Sequence, residues 1–170
     1  MSTTIESIAL KIDAPTGGTI PGRGFYQLEE DALYVQVGAY SKHQKFFNYL
    51  ESDWARFDID KDGRLIFIEV SMPRRHWELS EQIDPPIITE PADIRWLDFR
   101  THIAEPRLLT NKSQTTLLID FMSPHSWRWF TLAERVFVQT DHEHRLAAVM
   151  VTDIEDDLAG AQIAAFRAQR

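Results

Sequence analysis

The chain of 170 residues contains no cysteine. That single absence excludes disulfides, thiol nucleophiles and cysteine-ligated zinc. No apolar run approaches the roughly 20 residues a membrane-spanning helix requires. A basic surplus is missing too: residues 1–83 and residues 84–170 each hold 9 Lys/Arg against 13 Asp/Glu, for a total net charge of −8. Neither half therefore carries the cationic footprint of nucleic-acid binding or of attraction to anionic lipid. The start, Met1-Ser-Thr-Thr-Ile-Glu, has neither a basic region nor an apolar stretch of signal-peptide type. A cytoplasmic protein is expected, and on that view the glycosylation pattern at Asn111-Lys112-Ser113 is without consequence. The glycine-rich loop Asp13–Gly24 lacks Gly-Lys-Ser/Thr and precedes a strand, so a phosphate cradle is not expected. No nucleophile-elbow pattern occurs either.

What is present is centred on Trp54–Val70, W-A-R-F-D-I-D-K-D-G-R-L-I-F-I-E-V. Ala55, Phe57 and Ile59 alternate with Arg56, Asp58 and Asp60, the pattern of a strand with one buried face and one wet face. Leu65–Val70 is apolar on both faces, as a central strand would be. Lys61-Asp62-Gly63 reads as a turn with Gly63 at positive φ, which sets Asp60 opposite Arg64 as a favourable cross-strand pair. The same residues satisfy a calcium-loop pattern through Asp58, Asp60, Asp62, Gly63 and Glu69. Against that reading, β-formers run through Val70 and Pro73 follows closely, so no exit helix is expected.

In chain order, Ser7–Ile12 reads as a strand, and Phe25–Leu28 with Leu33–Val37 as a hairpin. Ser41–Leu50 suits either a helix or a strand. After the central hairpin, Pro73–Ile83 reads as a short helix with proline in its first turn. Three prolines in Ile83–Pro91 mark a boundary. The order then repeats: strand Asp93–Phe99, hairpin Arg107–Thr110 with Thr116–Phe121, ambiguous Ser123–Ala133, and hairpin Phe137–Thr140 with Ala147–Val151. Asp141 and Arg145 stand where Asp60 and Arg64 stood, and His144 replaces Gly63. Thr152-x-x-Glu155 reads as a capping box opening a C-terminal helix whose buried stripe is Ile154, Leu158, Ala161 and Ala165. The expected architecture is mainly β (α+β). It has two tandem repeats of antiparallel strands, residues 1–83 and 92–170, each ending in a helix and joined by a connector at 84–91. They pack as one pseudo-two-fold sandwich or barrel-like domain.

Tyr26–Val37, Y-Q-L-E-E-D-A-L-Y-V-Q-V, followed by Phe57–Val70, resembles a family of small prokaryotic domains of unknown function with the pattern D-A-L-Y … D-x-D-G-x-L-x-x-I-E. The resemblance covers about residues 25–70. It implies the two hairpins, accounts for Asp60, Asp62, Gly63 and Glu69 without a metal, and supplies no mechanism.

Several residues could carry chemistry. His43 and His125 hold matching positions beside Phe46 and beside Trp127 and Trp129, and in a symmetric packing they would line one concave aromatic feature. Asp141, His142, Glu143 and His144 form a compact donor cluster but lack distant ligands, so a solvated turn is expected. Asp120 lies in an apolar strand, where an outward face is expected. Arg74-Arg75-His76-Trp77 could grip an anion. No catalytic constellation is complete, and neither a cofactor nor a favoured metal is expected. The leading expectation is a non-enzymatic module that binds a protein or a second copy of itself. The alternatives are a small-ligand or enzymatic pocket near His43 and His125, and calcium binding at Asp58–Glu69.

Overall fold

A computed structural model describes residues 4–38, 46–121 and 128–157. Seven strands fall in the first half: β1 (Leu10–Asp13), β2 (Gly22–Gln27), β3 (Ala32–Val37), β4 (Asn48–Glu51), β5 (Ala55–Ile59), β6 (Leu65–Val70) and β7 (Glu78–Leu79). Nine follow: β8 (Glu90–Pro91), β9 (Asp93–Trp96), β10 (Thr101–His102), β11 (Arg107–Thr110), β12 (Leu117–Asp120), β13 (Arg128–Ala133), β14 (Val136–Thr140), β15 (Leu146–Val151) and β16 (Glu155–Asp157). The protein is mainly β, and no described helix is long and apolar enough to cross a membrane.

Fourteen of the sixteen described strands form two seven-stranded sheets, ordered β10-β4-β5-β6-β3-β2-β16 and β7-β11-β12-β15-β14-β13-β8, and β1 with β9 forms a third. The five inner strands of each are antiparallel and come from one half of the chain. The two outer strands of each are short and pair in parallel. In the first sheet both outer strands, β10 and β16, come from the second half, so the halves are interleaved. The doubly apolar β6 and β15 each occupy the fourth and central position, as a strand without a polar face must.

The two sheets repeat one register. In the first, Ala55 pairs Val70, Phe57 pairs Ile68, a bulge falls between Asp58 and Ile59, and Ile59 pairs Leu65. In the second, Val136 pairs Val151, Val138 pairs Val149, a bulge falls between Gln139 and Thr140, and Thr140 pairs Leu146. The turns match as well. Asp60 Oδ1 accepts from the N–H groups of Asp62 (2.9 Å) and Arg64 (3.0 Å), and Asp141 Oδ1 accepts from Glu143 and Arg145 (both 2.9 Å). Gly63 has φ 86° and His144 φ 60°, so histidine takes the left-handed position that glycine holds in the other half. The strands β1 and β9 pair antiparallel, Leu10 with Trp96 and Ile12 with Ile94. Each then reaches the opposite half's turn: Trp96 N–H donates to Gly63 O (2.7 Å) and Leu10 N–H to His144 O (3.0 Å).

One core joins both sheets, with Val35, Phe57 and Ile68 in the same cluster as Leu117, Val138 and Val149. The sheets approach closely at β2. A Cβ on Gly24 would lie 2.9 Å from Val151 Cγ1, and one on Gly22 would lie 2.1 Å from Glu134 O. On the other face of the first sheet, Phe25, Ala32, Tyr34, Ile66 and Phe67 make a smaller cluster, with Phe46 packed against it.

Four expectations are corrected. Pro73–Ile83 holds only a 3₁₀ turn at Arg74–His76 before β7; its first turn has no acidic residue, no side chain caps it, and none of its residues is buried. A helix there would have no apolar stripe to dock and would set cations against its own dipole. The capping box at Thr152 opens no helix through Glu155–Asp157, which is strand β16 against β2. Asp153 at φ 51° turns the chain, and Ile154 N–H is taken by Thr115 O at 2.9 Å. The remainder of the expected stripe, Leu158, Ala161 and Ala165, lies outside the described residues. Asp58 does not face water: it is 1% exposed and bonded to Arg56. Finally, Arg64 directs its guanidinium to Asp93 rather than to Asp60, whose carboxylate is occupied by the turn.

Candidate functional site

The candidate site is built at the start of β4, where Asn48 and Leu50 point inward and Tyr49 and Glu51 lie half-buried on the other face. Asn48 is 6% exposed and reaches across to the segment between β9 and β10. Its Nδ2 donates to Asp98 O (3.1 Å), while its Oδ1 accepts from Arg100 N–H (2.5 Å) and from Tyr49 N–H (2.8 Å). One buried amide thus fixes one remote segment to β4 through two bonds, so that its own polar atoms are satisfied. Arg100 is held at φ 43°, in the left-handed region that long side chains rarely adopt.

This clamp presents a small apolar surface. Phe47, Leu97 and Phe99 are 49%, 58% and 53% exposed. The Phe47 and Phe99 rings meet edge to face, with centroids 5.7 Å apart, the preferred geometry for such pairs. The Arg100 guanidinium lies 5.2 Å over the Phe99 ring, and its Nη2 makes one long contact of 3.5 Å to Phe47 O.

Beside the rings is a cavity of about 210 Å³ lined by Phe46, Phe47, Asn48, Tyr49, Arg56, Asp58 and Arg100. Within it Arg56 is neutralised: Nε donates to Asp58 Oδ1 and Nη1 to Glu51 Oε2, both at 3.0 Å, and the guanidinium sits 4.4 Å over Tyr49. Burial opposes its charge, but Asp58 and Glu51 more than offset this and hold its pKa above the ordinary arginine value. Arg100 has no such counterpart among the described residues.

A second, open trough of about 720 Å³ runs along the proline-rich connector, lined by Pro85, Pro86, Ile87, Ile88, Thr89, Glu90, Arg128 and Trp129. Ile87 and Ile88 are 98% and 86% exposed. Here Arg128 is paired with Glu90.

Of the residues named from sequence, Phe46 lines the first cavity and Trp129 the second. His43, His125 and Trp127 lie outside the described residues. The calcium-loop residues are spread over a buried strand (Asp58), a turn (Asp60, Asp62) and a central strand (Glu69), with no exit helix. Among the described residues no three His, Cys, Asp or Glu side chains gather as a metal cage, and Asp141–His144 is a hairpin turn. Asp120 is 9% exposed rather than outward-facing. Arg74 and Arg75 are engaged by Asp156 (2.7 Å) and Asp31 (2.6 Å). Asn48, Phe99 and Arg100 were not singled out by sequence; the only cue was the exposed-looking L-D-F-R run after an alternating strand.

Compared with family models and with curated proteins, the chain matches none.

Proposed function

We propose that the chain is a non-catalytic, cytoplasmic binding module that meets a protein partner through the Phe47–Phe99 surface. The observation that carries this reading is the edge-to-face pair itself: two half-exposed rings meet on backbone locked by Asn48. Exposed large apolar residues on soluble proteins usually occur singly, and converging ones mark contact surfaces. Aromatic and arginine side chains dominate the energetics of such contacts. Addition of a partner strand is disfavoured as the mode, because β10, β16, β7 and β8 cover the outer edges of the inner sheets. A cavity of about 210 Å³ is below the size of a typical small-molecule pocket but suits one inserted side chain.

The test is photo-crosslinking. Benzoylphenylalanine at Phe47 should capture one dominant protein in source lysate, and the same group at exposed Lys61 should not. Loss of the adduct in Phe99→Ala supports the reading; equal adducts at both positions, or none at Phe47, overturn it.

A second reading rests on the trough beside Trp129, whose volume of about 720 Å³ is within the range for small ligands. It predicts quenching of the tryptophan fluorescence by an apolar dye such as ANS, lost in Trp129→Ala.

A further inference from the structure

We propose that the segment docking on this surface is acidic, with a carboxylate seated on the Arg100 guanidinium and an apolar side chain against Phe47 and Phe99. This rests on the reading above and specifies the partner's chemistry. Every other described arginine has a carboxylate within 4.0 Å: Arg23, Arg56, Arg64, Arg74, Arg75, Arg95, Arg107, Arg128, Arg135 and Arg145 each form at least one ion pair. Arg100 forms none with a described residue, in a chain with 26 acidic residues against 18 basic ones. Among the described arginines an unmatched guanidinium is therefore the exception, and it sits beside the half-exposed Phe47–Phe99 pair.

The nearby acids cannot serve it. Asp58 and Glu51 are committed to Arg56 at 3.0 Å. The guanidinium lies over the Phe99 ring and makes only the long Nη2 contact to Phe47 O, an arrangement that leaves N–H donors along its edge for a carboxylate. The anchoring is rigid, since Asn48 binds the main chain on both sides of Phe99. Little freedom is then lost on docking. The overall charge of −8 repels nucleic acid, anionic bilayers and broadly acidic proteins alike. It tolerates a short segment whose carboxylates are confined to this spot.

The experiment is panning of a random twelve-residue phage-displayed library on the full chain, with counter-selection on the Phe47→Ala/Phe99→Ala variant. Enriched sequences should carry Asp or Glu next to Phe, Trp or Leu. A labelled peptide made from them should bind about tenfold more weakly to Arg100→Asn, as loss of one charge-assisted pair implies, and should weaken as salt is raised. Asparagine tolerates the left-handed backbone better than arginine, so this variant should keep the wild-type melting temperature. Arg100→Lys should fall between the two. Enriched peptides without acidic residues, or affinity indifferent to Arg100→Asn, overturn the acidic segment and leave the surface standing as a binding site. Failure to enrich anything lost on Phe47→Ala/Phe99→Ala overturns both. Arg100-dependent binding to phosphatidylserine vesicles in place of peptides overturns the choice of a protein segment.

Discussion

Arg64 and Asp93 are joined by two hydrogen bonds, Nε to Oδ1 at 3.0 Å and Nη2 to Oδ2 at 3.1 Å. They tie the turn of the first central hairpin to β9 of the second half. The Arg64 bond, ahead of the opposing effect of burial, holds the Asp93 carboxyl below the ordinary aspartate value of 3.8. A group with a lowered folded pKa stabilises above its unfolded pKa and loses that contribution as pH falls through the folded value. Asp93→Asn should therefore cost about 1–2 kcal/mol at pH 7, the figure being discounted because Arg64 is partly exposed. The cost should shrink below about pH 4. Urea titrations of both proteins across pH check this; a difference that persists unchanged at low pH would falsify it.

The contact between the sheets at Gly22 admits no side chain, because its Cβ would stand 2.1 Å from a backbone oxygen. Gly22→Ala should destabilise by about 2–3 kcal/mol through overpacking. Gly17→Ala, which meets nothing within 4 Å, should stay within about 0.5 kcal/mol of wild type. Thermal denaturation separates the two, and equal effects would refute the close approach.

The matched turns predict unequal responses. Gly63→Ala forces a Cβ into a φ of 86° and to 3.0 Å from Trp96 O, and should cost about 1–2 kcal/mol. His144→Gly removes the same backbone penalty from the other turn, where φ is 60°. The gain should nearly cancel against glycine's extra unfolded-state freedom, leaving a change under about 0.5 kcal/mol. Chemical denaturation of each variant decides the matter.

Glu105 holds the β4–β5 turn through its carboxylate, which accepts from Asp53 N–H at 2.9 Å and Trp54 N–H at 3.1 Å. Glu105→Ala should speed hydrogen exchange at these two amides by about tenfold or more, while amides in β6 are unchanged. Unaltered exchange at Asp53 and Trp54 would show that the clamp is not maintained in solution.

The two buried tryptophans among the described residues differ in how their indoles are served. Trp77 Nε1 donates to Met72 O at 3.1 Å, whereas Trp96 Nε1 has no partner among the described residues. Trp77→Phe strands a carbonyl and should cost more than Trp96→Phe by about 1 kcal/mol. Melting curves giving the reverse order would contradict this assignment.

What was legible in the sequence was local. The turns at Asp60–Arg64 and Asp141–Arg145 carry their own instructions, in an aspartate that caps and a residue that accepts positive φ, so both hairpins and their equivalence could be read from residues within a few positions. The central place of β6 and β15 followed from apolarity on both faces. The two expected helices failed for different reasons: the signal at Thr152 was overruled from a distance, whereas Pro73–Ile83 sets Arg74, Arg75 and His76 in a first turn with no side-chain cap and no acidic residue. Glu155 and Asp156 are drawn by Arg23 and Arg74, and Trp77 packs edge-on to Tyr26 rather than along a helix face. Asp58 was misplaced for a related reason: alternation gives a side, but only its bond to Arg56 lets that side be buried. Arg100 left no trace at all, because what sets it apart is held by Asn48, 52 residues away.

The short outer strands have a consequence for synthesis. On a ribosome the first sheet's five inner strands emerge with both flanks bare, and the pieces that seal them, Thr101–His102 and Glu155–Asp157, are translated later. Until the second arrives, β2 offers open backbone donors and acceptors to any neighbouring nascent chain. Pairings so distant in sequence form slowly, so the interval of exposure is long and falls where chaperone binding would matter most.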